Sequence, residues 1–530
     1  MNLSSKKQTE KKYALLSVFN KEGIVDFAKA LHKLGYKIIS TGGTAKTLLE
    51  NAIEIVPIQE ITGNPESFDG RMKTISFQIE SGILFDRTNP SHVKQAKELN
   101  IKPIDIVVCN LYPFEKTVSD PKVKLEDAVE NIDVGGPTMI RAAGKNFQNV
   151  LVVVDTKDYQ KIVQLLKGGN VNEKTRKELA AKAFTHLSFY DSQIASYLRE
   201  ELFPKEITLA GRKMANLRYG ENPHQKAAVY LHPNTNSPFA SLKKHWGREL
   251  SLLNVTDINA GLESVRLFDP KTEGVAAVVI KHNSPCGLAL GKTSKEALDR
   301  AVASDPESAF GGIIVLNNPI DLKTAKVIGS FKDERKANID IVAVPNIDQD
   351  ALEYLQKLRK SMGIYTFGKT PKKRTQDNNL KWIDGGFILQ TGDNKINDVF
   401  KQWKVVTKSK PTKKQLEQMK TAWKFVTRVR SNSVIIVDKS LPMTRGIGSG
   451  QTSRLRSTQI AFKQANGHAK GAILASDSFF PFDDSVKLAA KAGIGAIIQQ
   501  GGSVNDQASI DAADKAGIPM IFTDRRAFWH

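Results

Sequence analysis

The stretch VVIKHNSPCG, Val278 to Gly287, places a lysine and a histidine side by side where an apolar run ends. The run reads as a buried strand, and the Asn-Ser-Pro-Cys-Gly that follows Lys281 and His282 reads as turn chemistry. A neutral histidine there can take a proton from an attacking amine. A neighbouring ammonium can stabilise the negative charge that develops, or protonate a leaving nitrogen. The plain alternative is a solvated Lys-His pair at the surface, and spacing alone does not decide between them.

Pro285-Cys286 raises the question of a metal. Zinc deaminases need H-x-E followed by P-C-x-x-C, whereas Gly-Leu-Ala follows Cys286 here. The other cysteine is the distant Cys109, and the nine histidines form no H-E-x-x-H pair, so no metal is expected.

Other stretches carry polar groups at strand ends. STGGT, Ser40 to Thr44, follows one strand pattern and opens a helix. Its backbone N–H groups suit a phosphate, with Lys21 at the same edge of the sheet. In DGRMKT, Arg71 and Lys73 stand two apart, on one side of an extended segment. Tyr112 in NLYPF follows the apolar run IDIVV, and NIDVGGPTMIRAAGKN supplies Asp133, Arg141 and Lys145. LRYGENPHQ, Leu217 to Gln225, crowds Arg, Tyr, Asn and His around a turn. GIGSGQTSR, Gly446 to Arg454, spaces its glycines G-x-G-x-G, which excludes the dinucleotide fingerprint and leaves anion binding near a helix start.

The elements that must position these groups alternate. Strands are expected at Tyr13 to Phe19, Lys37 to Ser40, Ile104 to Cys109 and Val150 to Val154. Helices are expected at Glu22 to Leu34 and Ala45 to Asn51, and a long one over residues 172 to 202 closes the first domain. That order implies a parallel sheet covered by helices. Further strands are expected at Ala276 to Ile280, Gly312 to Leu316, Ile339 to Val344, Val434 to Val437, Ala472 to Ala475, Ala496 to Gln499 and Met520 to Thr523. Residues 346 to 432, rich in Lys, Gln and Asn, read as a seam between two smaller α/β units. No short repeat or low-complexity tract is evident.

A chain of 530 residues with 40% hydrophobic and 25% charged residues suits several ordered globular domains. Two cysteines far apart imply a reducing compartment, the cytoplasm by default, and no segment is expected to cross a membrane. The net charge of +21 is spread along the chain, densest in KKQTEKK and KTPKKR, without interleaved aromatics. It suggests a solvated surface and anionic small substrates rather than nucleic acid.

KHNSPCG, LRYGENPHQ, DPESAFGGIIVLN, RSNSV, GIGSGQTSR, ASDSFFPF and the closing GGSVNDQASIDAADKAGIPMIFTDRRAFWH together resemble the bifunctional purine biosynthesis family that joins AICAR transformylase to IMP cyclohydrolase. LSVFNKEG, STGGTAKTL, GRMKT, CNLYPF and IDVGGPTMIRAAGKN extend the resemblance over essentially the whole chain. It implies an α/β protein: a methylglyoxal-synthase-like parallel-sheet domain over 1 to 203, then a transformylase domain over 204 to 530 made of two zinc-free cytidine-deaminase-like units. It implies formyl transfer from 10-formyltetrahydrofolate to the 5-amino group of AICAR, then dehydrative closure of formyl-AICAR to IMP. A homodimer with shared transformylase sites is implied too.

For transfer, the resemblance implies His282 as base, Lys281 as charge stabiliser and Asn432 as hydrogen-bond partner at the formyl centre. Arg218, Tyr219, Arg454, Arg526 and Phe528 would hold the nucleotide, and Asn254, Gln451, Phe479 and Asp484 would line the folate and base. For closure it points to Lys73, Tyr112, Asp133 and Lys145, with Lys21, Ser40, Gly42, Gly43, Thr44, Arg71 and Thr74 on phosphate and ribose. One departure stands out. After DGRMKT the family usually reads L-H-P-x-x-H-G-G-I-L, whereas this chain has Ser76 and Phe77 for His-Pro and Glu80 and Ser81 for His-Gly. Two other readings remain open here: a transformylase with an impaired cyclohydrolase domain, and a basic nucleic-acid-binding protein.

Overall fold

The computed structural model describes residues 11–333, 338–369, 378–393 and 398–530, and the two lysine-dense clusters lie largely outside them. The chain forms two compact units. One comprises residues up to Gly211 with His232–Asn234, and the other comprises the remainder.

Unit 1 is built on five parallel strands: β1 (Lys12–Val18), β2 (Tyr36–Ser40), β3 (Val56–Pro57), β4 (Ile104–Asn110) and β5 (Leu151–Val153), in the order β3-β2-β1-β4-β5. Ala14, Leu15 and Leu16 are fully buried in succession, as a strand covered by helices on both faces requires. α1 (Ile24–Lys33) buries Ile24, Phe27, Ala28 and Leu31, one stripe at helical spacing. α2 (Gly42–Glu50) follows β2 directly, and α3 (Phe77–Leu84) and α4 (Gly135–Lys145) pack together near β4. The expected long helix is α5 (Glu173–Leu198), which buries Leu179, Ala183, Leu187 and Tyr190. The expected strands and helices of this unit are present.

Unit 2 repeats one topology. Its first half contains β6 (Lys243–Trp246), α6 (Leu252–Val265), β7 (Val275–Lys281), β8 (Ser284–Gly291), α7 (Ser294–Ser304), β9 (Ile313–Leu316), α8 (Leu322–Asp333), β10 (Ile341–Val344), α9 (Gln349–Leu358) and β11 (Gly363–Thr366). Its second half contains β12 (Lys404–Val405), α10 (Lys413–Val426), β13 (Val434–Val437), β14 (Thr444–Gly448), α11 (Arg454–Ala465), β15 (Ile473–Ser476), α12 (Asp484–Lys491), β16 (Ala496–Gln499), α13 (Asp506–Lys515) and β17 (Met520–Phe522). The sheets run β8-β7-β9-β10-β11-β6 and β14-β13-β15-β16-β17-β12. In each, a helix precedes an antiparallel hairpin, and the next three strands are mutually parallel.

Two expectations need correction. Asn283 to Gly287 is not a turn: the turn is His282-Asn283 alone, and Ser284 is already paired with Lys281 in β8. His282 and Asn283 have φ of 55° and 59°, the double left-handed geometry of a tight two-residue hairpin. Pro285, without an N–H, sits where the ladder shifts register. Second, Gly446 and Gly448 are strand residues. A Cβ on either would lie 1.9 Å from the Ala461 or Ser457 carbonyl oxygen of α11. The same holds for Gly287 of β8, 2.0 Å from the Ala301 oxygen of α7. These glycines let a helix backbone lie against its hairpin.

The halves meet through edge strands, with Ala289 bridged to Met443 and the Leu290 N–H bonded to the Pro442 carbonyl. The antiparallel sense of that bridge and of the two hairpins places the C-terminal end of β7 and the N-terminal end of β13 on the same side.

Candidate active sites

In unit 1 the polar candidates gather at the carboxyl ends of parallel strands, where open α/β sheets bind ligands. Lys21 follows β1, Ser40 ends β2 and Tyr112 follows β4. The Ser40 hydroxyl donates to the Leu16 carbonyl. Thr44 accepts from the Val18 N–H and donates to the Val18 carbonyl, so both stitch α2 to the sheet. Gly42 is left-handed (φ 52°) at the start of α2. A Cβ there would stand 3.7 Å from Lys73 Nζ, and one on Gly43 would stand 3.4 Å from Lys21 Nζ. Two ammonium groups thus converge on a helix N-terminus with bare backbone, an anion cradle. Thr41, passed over in the sequence, adds a buried hydroxyl oxygen without a hydrogen-bond partner at the same helix start.

Asp133 lies beside this cradle. Its carboxylate accepts from the Gly136 N–H at 2.8 Å and from the Tyr112 backbone N–H. Burial raises its pKa, opposed by those bonds and by the charge of Lys73. From α5, the Tyr190 hydroxyl accepts from the Asp133 N–H at 2.9 Å. Thr74 is buried against Gly135, and Tyr112 stands 40% exposed with its ring edge-on to Phe19. Arg71 forms an ion pair with Glu130. Lys145 is not brought to this cluster: it ends α4, ten residues and about 15 Å of helix from Gly135.

The departure from the family pattern folds into α3. Ser76 caps the helix, accepting from the Ile79 N–H at 3.1 Å, and Phe77 is exposed. Glu80 buries an unpartnered Oε1, and burial pushes its carboxyl up to about 7.

In unit 2, β7 ends in Lys281, whose Nζ donates to the Phe310 carbonyl at 2.8 Å with the Phe310 ring beside it. His282 follows on the left-handed turn. Holding the turn is Asp257 of α6, only 7% exposed, whose carboxylate accepts the Asn283 N–H at 2.5 Å and the His282 backbone N–H. Burial raises the Asp257 pKa, while these bonds and the His282 charge lower it. Sequence reasoning missed Asp257, since nothing local distinguishes it from a polar helix residue.

A second group surrounds Asn432, just before β13. Its Nδ2 donates to the carbonyls of Gln451 (3.0 Å) and Thr452 (3.3 Å), and its Oδ1 accepts from Arg454 Nη2 at 2.8 Å. Arg454 is itself buried and paired with the fully buried Asp477. The C-terminal segment is tied to the same place: Ser431 N–H to the Trp529 carbonyl, Ala527 N–H to the Asp477 carbonyl. This brings in Arg526, stacked over Phe528 at 4.5 Å, while Phe479 follows Asp477 two residues on. Arg218 stacks on Tyr219 and donates to its hydroxyl. Asn254 serves a capping box with Ser251, and Asp484 accepts from the Ser485 N–H. Among the described residues, no group of three His, Cys, Asp or Glu side chains could hold a metal ion, and no helix is long and apolar enough to cross a membrane.

Two α/β units, each presenting its own cluster of cationic, carboxylate and amide groups at strand ends, define a two-site enzyme. Residues 23–138 match the MGS-like domain, and residues 143–464 match the AICARFT/IMPCHase bienzyme. Proteins named bifunctional purine biosynthesis protein PurH are similar over 98% of this chain. Those of Thermoanaerobacter sp. (strain X514) and Lysinibacillus sphaericus (strain C3-41) are 46% identical and matched over 100% of their length, and that of Persephonella marina is 43% identical over 99% of its length. The chain belongs to the AICARFT/IMPCHase bienzyme family, joining AICAR formyltransferase and IMP cyclohydrolase activities in purine biosynthesis.

Proposed function

We propose that residues 204–530 carry formyl transfer and residues 1–203 carry cyclisation, with the residues above in the following roles. AICAR's 5-amino group is a weak nucleophile, because its lone pair is delocalised into the ring. As it attacks the formyl carbon of 10-formyltetrahydrofolate, His282 takes its proton. The Lys281 ammonium faces the oxygen that becomes negative, and when the bond from carbon to N10 breaks, N10 leaves with a proton as tetrahydrofolate. The observation that carries this reading is the His282 turn: two left-handed non-glycine residues, locked by a buried carboxylate, present an imidazole at a fixed place.

In cyclisation the carboxamide nitrogen of formyl-AICAR attacks its own formyl carbon and water is lost. Nucleophile and electrophile share one molecule, so positioning supplies much of the rate. Lys21 and the start of α2 would hold the phosphate, while Lys73, Asp133 and Tyr112 would handle charge and protons at the closing ring.

The mixed strand order shared by the two halves of unit 2 supports a pair of cytidine-deaminase-like folds, with Cys286 left as a buried thiol and not a metal ligand. Two separations support a homodimer with shared sites. Lys281 and His282 stand on one half of unit 2 and Asn432 on the other, and Lys145 lies at the far end of α4 from Asp133. Two buried free cysteines fit the cytoplasm.

The test mixes purified protein with AICAR and 10-formyltetrahydrofolate, follows tetrahydrofolate release and identifies the nucleotide formed. IMP is the expected product. His282→Ala should slow transfer by about 10²-fold or more, on the scale of general-base effects, and spare cyclisation. Lys73→Ala should do the reverse. If Lys73→Ala impairs transfer instead, the division of chemistry between the two domains is wrong.

A further inference from the structure

We propose that Asp477 is a positioning residue for formyl transfer: through Arg454 it fixes the Asn432 amide so that its remaining hydrogen-bonding capacity is an oxygen lone pair, which accepts an N–H of the substrate amine. The proposal rests on the reading of Asn432 given above.

The orientation of the Asn432 amide follows from its partners. A guanidinium can only donate, so the atom facing Arg454 Nη2 at 2.8 Å must be the amide oxygen. Carbonyl oxygens can only accept, so the atom facing Gln451 and Thr452 must be the amide nitrogen. Both constraints agree, and flipping the amide would break all three bonds. Both hydrogens on Nδ2 are then used, and one of the two lone pairs on Oδ1 is taken. Among the described residues, a single acceptor position remains.

Asn432 therefore cannot donate to the formyl oxygen without giving up a bond, but it can accept from the amine. Such an acceptor orients the amine and leaves its lone pair turned toward the formyl carbon. Stabilising the oxygen that becomes negative falls to Lys281.

Asp477 is what fixes Arg454. Its side chain is fully buried at the end of β15. One carboxylate oxygen pairs with Arg454 Nη1, and the other accepts the Ser433 N–H at 3.1 Å. Arg454 Nη1 also reaches Ser476 Oγ at 2.9 Å and the Ser433 carbonyl at 3.3 Å, which aims Nη2 at Asn432. One carboxylate thus holds the Asn432 side chain through Arg454 and the adjoining backbone through Ser433. The Asp477 carbonyl, accepting the Ala527 N–H, anchors the segment bearing Arg526 and Phe528.

The experiment is a double-mutant cycle on the full chain with D477N, N432A and the combined variant. Transfer is measured by kcat and KM for AICAR, and cyclisation of formyl-AICAR on the same preparations serves as a folding control. D477N should lower the kcat of transfer by about 10- to 100-fold, shift KM by less than about 3-fold and leave cyclisation unchanged. In the N432A background, D477N should cost less than about 3-fold more, because the residue it positions is gone. Equal losses in both backgrounds, or a loss confined to KM, would overturn the proposal. Near-normal transfer by N432A would remove Asn432 from the reaction and take the reading down with it. An impaired N432A beside an unimpaired D477N sinks the role of Asp477 alone. Should D477N fail to fold, R454K replaces it in the cycle. It keeps a positive charge beside Asp477 but cannot also reach Asn432, and the same coupling is expected.

Discussion

Glu80 stands where the family pattern has a histidine, and its surroundings govern what a carboxyl does there. With Oε1 buried and unpartnered, burial raises its pKa to about 7, above that of an unfolded chain. The native state therefore holds this proton more tightly. Stability is lost as pH rises from the ordinary carboxylate range to about 7, and the full cost stands above that value. Glu80→Gln should stabilise the protein at pH 8 by on the order of 1 kcal/mol, after allowing for solvent screening, and by nothing near pH 4. Urea unfolding at the two pH values measures the difference; an equal gain at both would mean that charge is not the cause. The substitution at residue 80 is visible in the sequence, but its burial is not. The same divide separates Lys281 and His282, legible from their place after an apolar run, from Asp257 and Asp477. Those two act through partners far along the chain that no local pattern reveals.

Elements were legible where hydrophobic runs were long. Four of the five strands of unit 1 and the central strands of unit 2 announce themselves by apolar runs, whereas β3, two residues long, leaves no such signal. β8 and β14 do not, because glycines that admit a helix backbone weaken the strand signal and mimic a loop. Gly448→Ala makes that argument testable. A Cβ 1.9 Å from the Ser457 carbonyl forces α11 away from β14, and such overpacking typically costs about 1–3 kcal/mol or more. Because α11 begins with Arg454, transfer should fall as well while cyclisation holds. Gly450→Ala provides the contrast. Its φ of 67° strains a side chain, yet nothing stands within 4 Å of the added Cβ, so only conformational strain should appear, about 1 kcal/mol. Thermal unfolding that ranked the two variants oppositely would refute close packing as the reason for glycine in β14.

At the scale of the whole molecule, the division of unit 2 into two smaller α/β units was legible in the sequence, but their common topology was not, because the halves share strand order and helix placement rather than residues. Their junction fixes how far apart the two parts of the transfer site stand. His282 follows β7 in one half and Asn432 precedes β13 in the other, with a bridge from Ala289 to Met443 between the two edges. A symmetric pair of chains would bring the two together if His282 of one copy faces Asn432 of the other. Mixing then becomes informative. A dimer of one His282→Ala chain and one Asn432→Ala chain contains one site with both defects and one site with neither. Random reassortment makes half the dimers mixed, each with one intact site of two, so a 1:1 mixture should recover about a quarter of wild-type transfer. Each variant alone should stay near background. The mixture should be unfolded and refolded together, so that chains exchange fully, and its activity compared with that of the two variants refolded separately. Recovery near a quarter means that the site spans two copies. No recovery, in a mixture whose cyclisation returns to normal, means that each chain closes the distance by itself.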